Sequence, residues 1–114
     1  MTKTRRQERV ASLFEMAISE IIRRDLHFDK AAFISVSGVE MSGDLKLARI
    51  YFRIFGQISP EKVLAYLEKR KGFIRKILAS KVNLKYNPEL IFLLDPRAEH
   101  EQKIDSLIEK IKKK

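Results

Sequence analysis

The sequence predicts an α+β domain in the order α-β-β-α-kink-α-β-α, a three-stranded sheet covered by helices. Three observations carry that expectation. Apolar residues recur at helical spacing, then alternate as in strands, then return to helical spacing. Gly43, Gly56, Pro60, Pro88 and Pro96 stand where the period changes. A helix pair interrupted at Arg70-Lys71-Gly72 lies between the second and third strand patterns.

The bulk composition bounds the rest. A chain of 114 residues, 45% of them hydrophobic, suits one domain with its own core. We read residues 1–114 as that domain, with 1–4 and 112–114 as frayed ends. Lys and Arg number 24 against 15 Asp and Glu, a formal net charge of +9. That excess points to a polyanionic partner, nucleic acid first and an anionic membrane surface second, with solubility as the bland alternative. The absence of cysteine excludes a disulfide framework and thiolate chemistry, and fits the cytoplasm. The longest wholly apolar run, Leu90 to Leu94, is far too short to span a bilayer. The basic N-terminus leads into a charged amphipathic pattern, not a signal peptide.

Thr4 to Arg24 reads as an amphipathic helix, with Val10, Leu13, Phe14, Ala17, Ile18 and Ile21 on one face. Arg5, Arg9 and Arg23 share one edge of its polar face, either a solvated surface or a basic rail for phosphates. Phe33 to Glu40 and Leu45 to Phe55 read as a hairpin. Met41-Ser42-Gly43-Asp44 supplies the turn: glycine tolerates positive φ, and Ser and Asp bond nearby backbone. Ala48, Ile50, Phe52 and Ile54 alternate toward the core, and Leu47, Arg49, Tyr51 and Arg53 toward the other face. Arginine interleaved with an aromatic on an open sheet can stack bases, or simply pack across strands.

Ser59-Pro60 is a helix-start signal: a capping oxygen, then a proline at the first helical position. Val63, Leu64 and Leu67 follow at helical spacing, and Phe73, Ile74, Ile77 and Leu78 resume it after the interruption. Glycine at the interruption permits a bend and a close approach by another backbone. Lys71, Gly72, Arg75, Lys76 and Ala79 fall on the outward half of the second helix, small residues among cations. Glu89 to Leu94 is the third strand, and a helical crossover before it favours parallel pairing with a partner the sequence does not name. Asp95-Pro96 breaks the chain, and Ala98 to Ile111 reads as a last helix with a lysine tail.

A broken helix pair between strands is the topology of a type II KH module. Such modules clamp nucleic-acid backbone with a Gly-x-x-Gly loop, which this chain lacks. The details are more particular. Ser37-Gly38-Val39-Glu40-Met41-Ser42, then Asp44-Leu45, then Ala48-Arg49-Ile50-Tyr51 resembles the hairpin signature of the ribosome-binding factor A family. So do Gly72-Phe73-Ile74-Arg75, Leu84-Lys85 and Pro88-Glu89-Leu90, and Arg9-Val10 resembles the family's first helix. The resemblance runs over roughly residues 5–111. It implies a KH-like, non-enzymatic assembly factor of the bacterial cytoplasm. Such a factor binds the small ribosomal subunit through its ribosomal RNA late in maturation, and it matters most in the cold. The family carries an Ala-x-Gly kink between its central helices. Gly72 matches the glycine, whereas Arg70 stands in the alanine's place.

The candidate RNA-binding residues are therefore Arg5, Arg9, Arg70, Lys71, Gly72, Arg75, Lys76 and Lys85. An enzyme is not expected. His27 and His100 lie outside any metal spacing, and the four glycines form no phosphate loop. Asp44 flanks a turn, where a backbone bond is its ordinary role. We expect no cofactor, no metal, no small-molecule substrate and no membrane, and a monomer as the working form. The competing reading is a protein-interaction module using the open sheet face around Tyr51.

Overall fold

In this computed structural model, residues 4–26, 32–56 and 58–97 are described. The last helix expected from Ala98 to Ile111 lies outside them, as do both histidines. The first helix, α1, spans Arg5–Arg24 and starts where its chemistry allows. Thr4 Oγ1 accepts the Gln7 backbone N–H at 3.1 Å, and Gln7 Oε1 accepts the Thr4 N–H at 2.9 Å. This reciprocal cap satisfies donors that a helix start leaves unpaired. Val10, Phe14, Ala17, Ile18 and Ile21 are buried as expected, while Leu13 sits at the rim, 45% exposed.

Strands β1 (Ala32–Met41) and β2 (Leu47–Gly56) pair antiparallel from Ala32↔Gly56 to Met41↔Ala48, with a register shift between Val36 and Gly38. Their turn is built differently from expectation. The left-handed residue is Leu45, φ 60°, not Gly43. A leucine there is strained, and a dense network holds it. Ser42 Oγ accepts the Lys46 and Leu47 N–H groups and donates to Asp44 at 2.7 Å, and Asp44 accepts the Lys46 N–H at 3.0 Å.

Helices α2 (Pro60–Lys69) and α3 (Lys71–Lys81) lead to β3 (Glu89–Leu94), which pairs parallel to β2, from Leu47↔Glu89 to Phe52↔Leu94. The order β1-β2-β3 names the partner that the sequence left open. Ala48, Ile50, Phe52 and Ile54 are buried on one face beside Leu90 and Phe92, with the Phe52 and Phe92 rings 5.8 Å apart. Val63 and Leu67 of α2 and Ile74 and Leu78 of α3 complete the same core. The described helices therefore cover one face of the sheet.

The two central helices break at Arg70, φ −96° and ψ 6°, two residues before Gly72. This bridge conformation is open to any L-residue, so the bend does not depend on glycine. The Arg70 N–H still bonds Tyr66 and Leu67 carbonyls of α2, and its own carbonyl accepts the Ile74 N–H of α3. Ser59 does not cap α2; its hydroxyl donates to Glu61 at 2.6 Å, and Pro60 fills the first helical position as expected. Phe73, expected inward, is 43% exposed. The buried stripe of α3 is centred between Ile74 and Leu78, and Phe73 lies about 120° away around the helix.

Candidate nucleic-acid interface

The predicted cations of the second half of the chain divide between two places. The first is the α2–α3 junction. Arg70 is exposed, its guanidinium 5.6 Å from the Tyr66 ring centroid. The long Arg70 side chain is thus accommodated by lying out over a neighbouring ring. Lys71 is half-buried: it pairs with Glu68 at 2.8 Å and its ammonium stands 5.4 Å from the Phe92 ring centroid. Gly72 lies inside α3, and a Cβ built there meets nothing within 4 Å. Lys76 is exposed and makes no ion pair among the described residues.

Arg75 is not the free outward cation the sequence suggested. Its Nε donates to the Pro88 carbonyl at 3.0 Å and its terminal nitrogen to the Asn87 carbonyl at 2.9 Å. Asn87 Nδ2 returns a bond to the Arg75 carbonyl at 3.3 Å. Two carbonyls at a strand entry would otherwise need water. Arg75 supplies donors to both and so braces the loop from α3 to β3.

The second place is the hairpin end of the sheet. Lys85 is exposed on that braced loop, its ammonium 5.5 Å from the Tyr86 ring centroid. Lys46, from the hairpin turn, approaches the same ring at 5.1 Å. Parallel pairing of β3 with β2 explains the meeting: the Glu89 N–H donates to the Lys46 carbonyl at 2.9 Å. A cavity of about 220 Å³ beside them is lined by Thr4, which caps α1, by Arg6 and Gln7 of its first turn, and by Asp44, Lys85 and Tyr86. Arg5 and Arg9 are exposed on the first turns of α1, whose Gln7 Nε2 donates to the Met41 carbonyl at 3.1 Å. The structure thus separates Lys85 from the junction and gathers it with Lys46, Arg6 and Tyr86. Reasoning from sequence missed those three, because only the β2–β3 pairing brings residues 46 and 86 together.

The sheet face opposite the described helices is anchored by Asp95, which reasoning from sequence read only as a chain breaker. Its N–H donates to the Phe52 carbonyl at 2.9 Å, and its carboxylate is 3% exposed beside Arg53 (3.5 Å) and Arg97 (3.3 Å). Burial pushes this carboxyl upward, but hydrogen bonds from Arg97 and Ser37 outweigh it and hold it at about 2. Tyr51 is half-buried, and burial together with a hydrogen bond to Glu40 raises its phenol above the ordinary range. Phe33 and Phe55 pair at 6.3 Å toward the edge of this face. Among the described residues no group of His, Cys, Asp or Glu could hold a metal ion, and no helix is long and apolar enough to cross a membrane.

Among the described residues, three helices on one face of a three-stranded sheet, with a broken central pair, define a type II KH-like module. The family profile described as Ribosome-binding factor A matches residues 6–108, and the chain belongs to that family. The chain is 36% identical over 111 residues to the ribosome-binding factor A of Halothermothrix orenii, covering 96% of this chain and 91% of that one. It is also similar to the crystal structure of ribosome-binding factor A from Thermus thermophilus. There the TM-score is 0.67 at 21% identity, over 77% of this chain and 94% of that one, a likeness of fold alone. A homology model of the Thermus thermophilus factor, fitted into a cryo-electron microscopy map of its complex with the 30S subunit, matches with TM-score 0.63 at 25% identity. That match covers 73% of this chain and 88% of that one.

Proposed function

We propose that this chain binds the small ribosomal subunit through its ribosomal RNA and assists the subunit's late maturation without catalysis. It acts as one KH-like domain, residues 1–114, monomeric and cytoplasmic. The observation that carries this reading is family membership over nearly the whole chain, together with a similar factor fitted into a map of a 30S complex. The electrostatics support it. Exposed Arg5, Arg9, Arg70, Lys76 and Lys85 ride on a chain of net charge +9, and RNA phosphates are the fitting counterpart. Lys71 and Gly72 belong to the same junction, and Arg75 contributes by holding the loop that carries Lys85. The experiment is sedimentation of the purified protein with free small subunits, free large subunits and assembled ribosomes over a salt series. Selective pelleting with free small subunits, weakening steeply as salt rises, is the expected result. Salt-insensitive association would point instead to a protein contact through the open sheet face around Tyr51.

A further inference from the structure

Tyr86 is the best-exposed tyrosine among the described residues, 53% accessible, and contributes nothing to the buried core. Two ammonium groups from different parts of the chain nevertheless converge on its ring, Lys46 at 5.1 Å and Lys85 at 5.5 Å. Arg6 lines the adjoining cavity of about 220 Å³. Each segment is anchored by hydrogen bonds to backbone carbonyls. Gln7 bonds Met41, Glu89 bonds Lys46, and Arg75 bonds Asn87 and Pro88. The ring and its cations are therefore held on a fixed frame.

We infer that one unpaired RNA nucleotide is held at this hairpin end, its base stacked on Tyr86 and its flanking phosphates met by Lys46, Lys85 and Arg6. The inference rests on the RNA-binding reading above and adds a subsite to it. An exposed aromatic ring set among cations is the arrangement that binds single strands without sequence preference. Stacking of a base on the ring is worth more than an exposed cation–π contact. A base can therefore displace one lysine from the ring, and that lysine then turns to phosphate. Asp44 shares the cavity, and its charge opposes an anion. Hydrogen bonds from the Ser42 hydroxyl and the Lys46 N–H hold its carboxyl below the usual range, so it stays ionised. Three cations against this one carboxylate leave the site positive. A paired base offers no free face to the ring, so the site prefers single strands.

The test uses the full chain and a labelled oligouridylate of about ten nucleotides, followed by fluorescence anisotropy across a salt series. Tyr86→Ala is expected to weaken binding about fivefold or more with the salt slope unchanged, and Tyr86→Phe to keep it. Lys46→Gln with Lys85→Gln is expected to make the slope shallower by about 0.7 for each phosphate no longer neutralised. Tyr86→Leu, which keeps an apolar side chain without the flat ring, should lose as much as Tyr86→Ala and stands in for it if that variant folds poorly. Both variants binding oligouridylate as tightly as wild type would overturn the subsite, as would a wild-type chain that ignores oligouridylate. Loss of small-subunit pelleting by Tyr86→Ala with oligouridylate binding intact would also overturn it, in favour of a protein contact. The sedimentation assay reports separately on the parent reading. Wild-type pelleting with small subunits alongside an indifferent Tyr86→Ala removes this subsite and leaves that reading standing.

Discussion

Gly72→Ala separates two accounts of the α2–α3 junction. If the bend needed glycine, alanine would strain it and the fold would weaken. The structure argues otherwise: the break is at Arg70, Gly72 is the second residue of α3, and a Cβ there meets nothing within 4 Å. Glycine costs about 1 kcal/mol relative to alanine in a helix interior, chiefly through the freedom it loses on folding. A first-turn position feels less of this, so the expected gain is about 0.3–1 kcal/mol. For a domain of this size that corresponds to roughly 2–5 °C in Tm. Urea and thermal denaturation followed by circular dichroism read it directly. A lower midpoint would refute the placement of the bend at Arg70. Small-subunit affinity should stay within about twofold of wild type. A raised Tm with clearly weaker binding would mean that a phosphate backbone passes directly over Gly72.

Three other outcomes follow from the side-chain geometry. Arg75→Gln removes charged hydrogen bonds to the Asn87 and Pro88 carbonyls; a loss of about 1–3 kcal/mol is expected in urea unfolding, and an unchanged midpoint would count against the brace. Arg70→Gln with Lys76→Gln should leave melting nearly unchanged, because exposed cations add little to stability. The same pair should weaken small-subunit association and flatten its salt slope, and wild-type binding would remove the junction from the interface. Asp95 has a folded pKa of about 2, below its unfolded value. Its contribution is full above roughly pH 4 and is lost as pH falls toward 2, on the order of 1 kcal/mol once screening around exposed Arg97 is allowed for. Asp95→Asn should lower stability at pH 7 and shrink the gap to wild type at pH 2; a gap constant with pH would refute the linkage.

Much of the fold was legible because its signals are local. The alternation of Ala48, Ile50, Phe52 and Ile54 marked the core face of β2, and the spacing of Val10, Phe14 and Ile21 marked that of α1. Local signals failed where several placements were sterically open. The hairpin put its left-handed residue at Leu45 rather than Gly43, because Ser42 and Asp44 hold the turn by hydrogen bonds that a glycine count does not reveal. Phe73 looked like core by hydropathy, but Ile74 and Leu78 fix the buried direction of α3. The site was less legible than the fold. Whether a cation is available depends on partners distant in sequence, so neither the brace at Arg75 nor the meeting of Lys46 with Tyr86 could be read from spacing.

That distribution of partners changes what the basic charge can do. Lys81 pairs with Glu20 and ties α3 to α1, Lys71 pairs with Glu68, and Arg53 and Arg97 surround Asp95. Such cations already have a structural task, and moving them toward phosphate would give up an existing interaction. Arg70, Lys76, Lys85 and the α1 arginines Arg5 and Arg9 stand exposed, without an ion pair among the described residues. Arg75 links the junction to the hairpin end that carries Lys85. It lies on α3 between Lys71 and Lys76, yet its guanidinium grips the carbonyls next to Tyr86. A rigid helix and a two-point clamp therefore set the spacing between the junction and the hairpin end. An RNA strand touching both would meet a fixed span, so neither lysine cluster has to be ordered anew on binding. On this view Arg75 serves recognition by position, which explains how a conspicuous cation at the centre of the predicted site can spend its donors on the protein's own backbone.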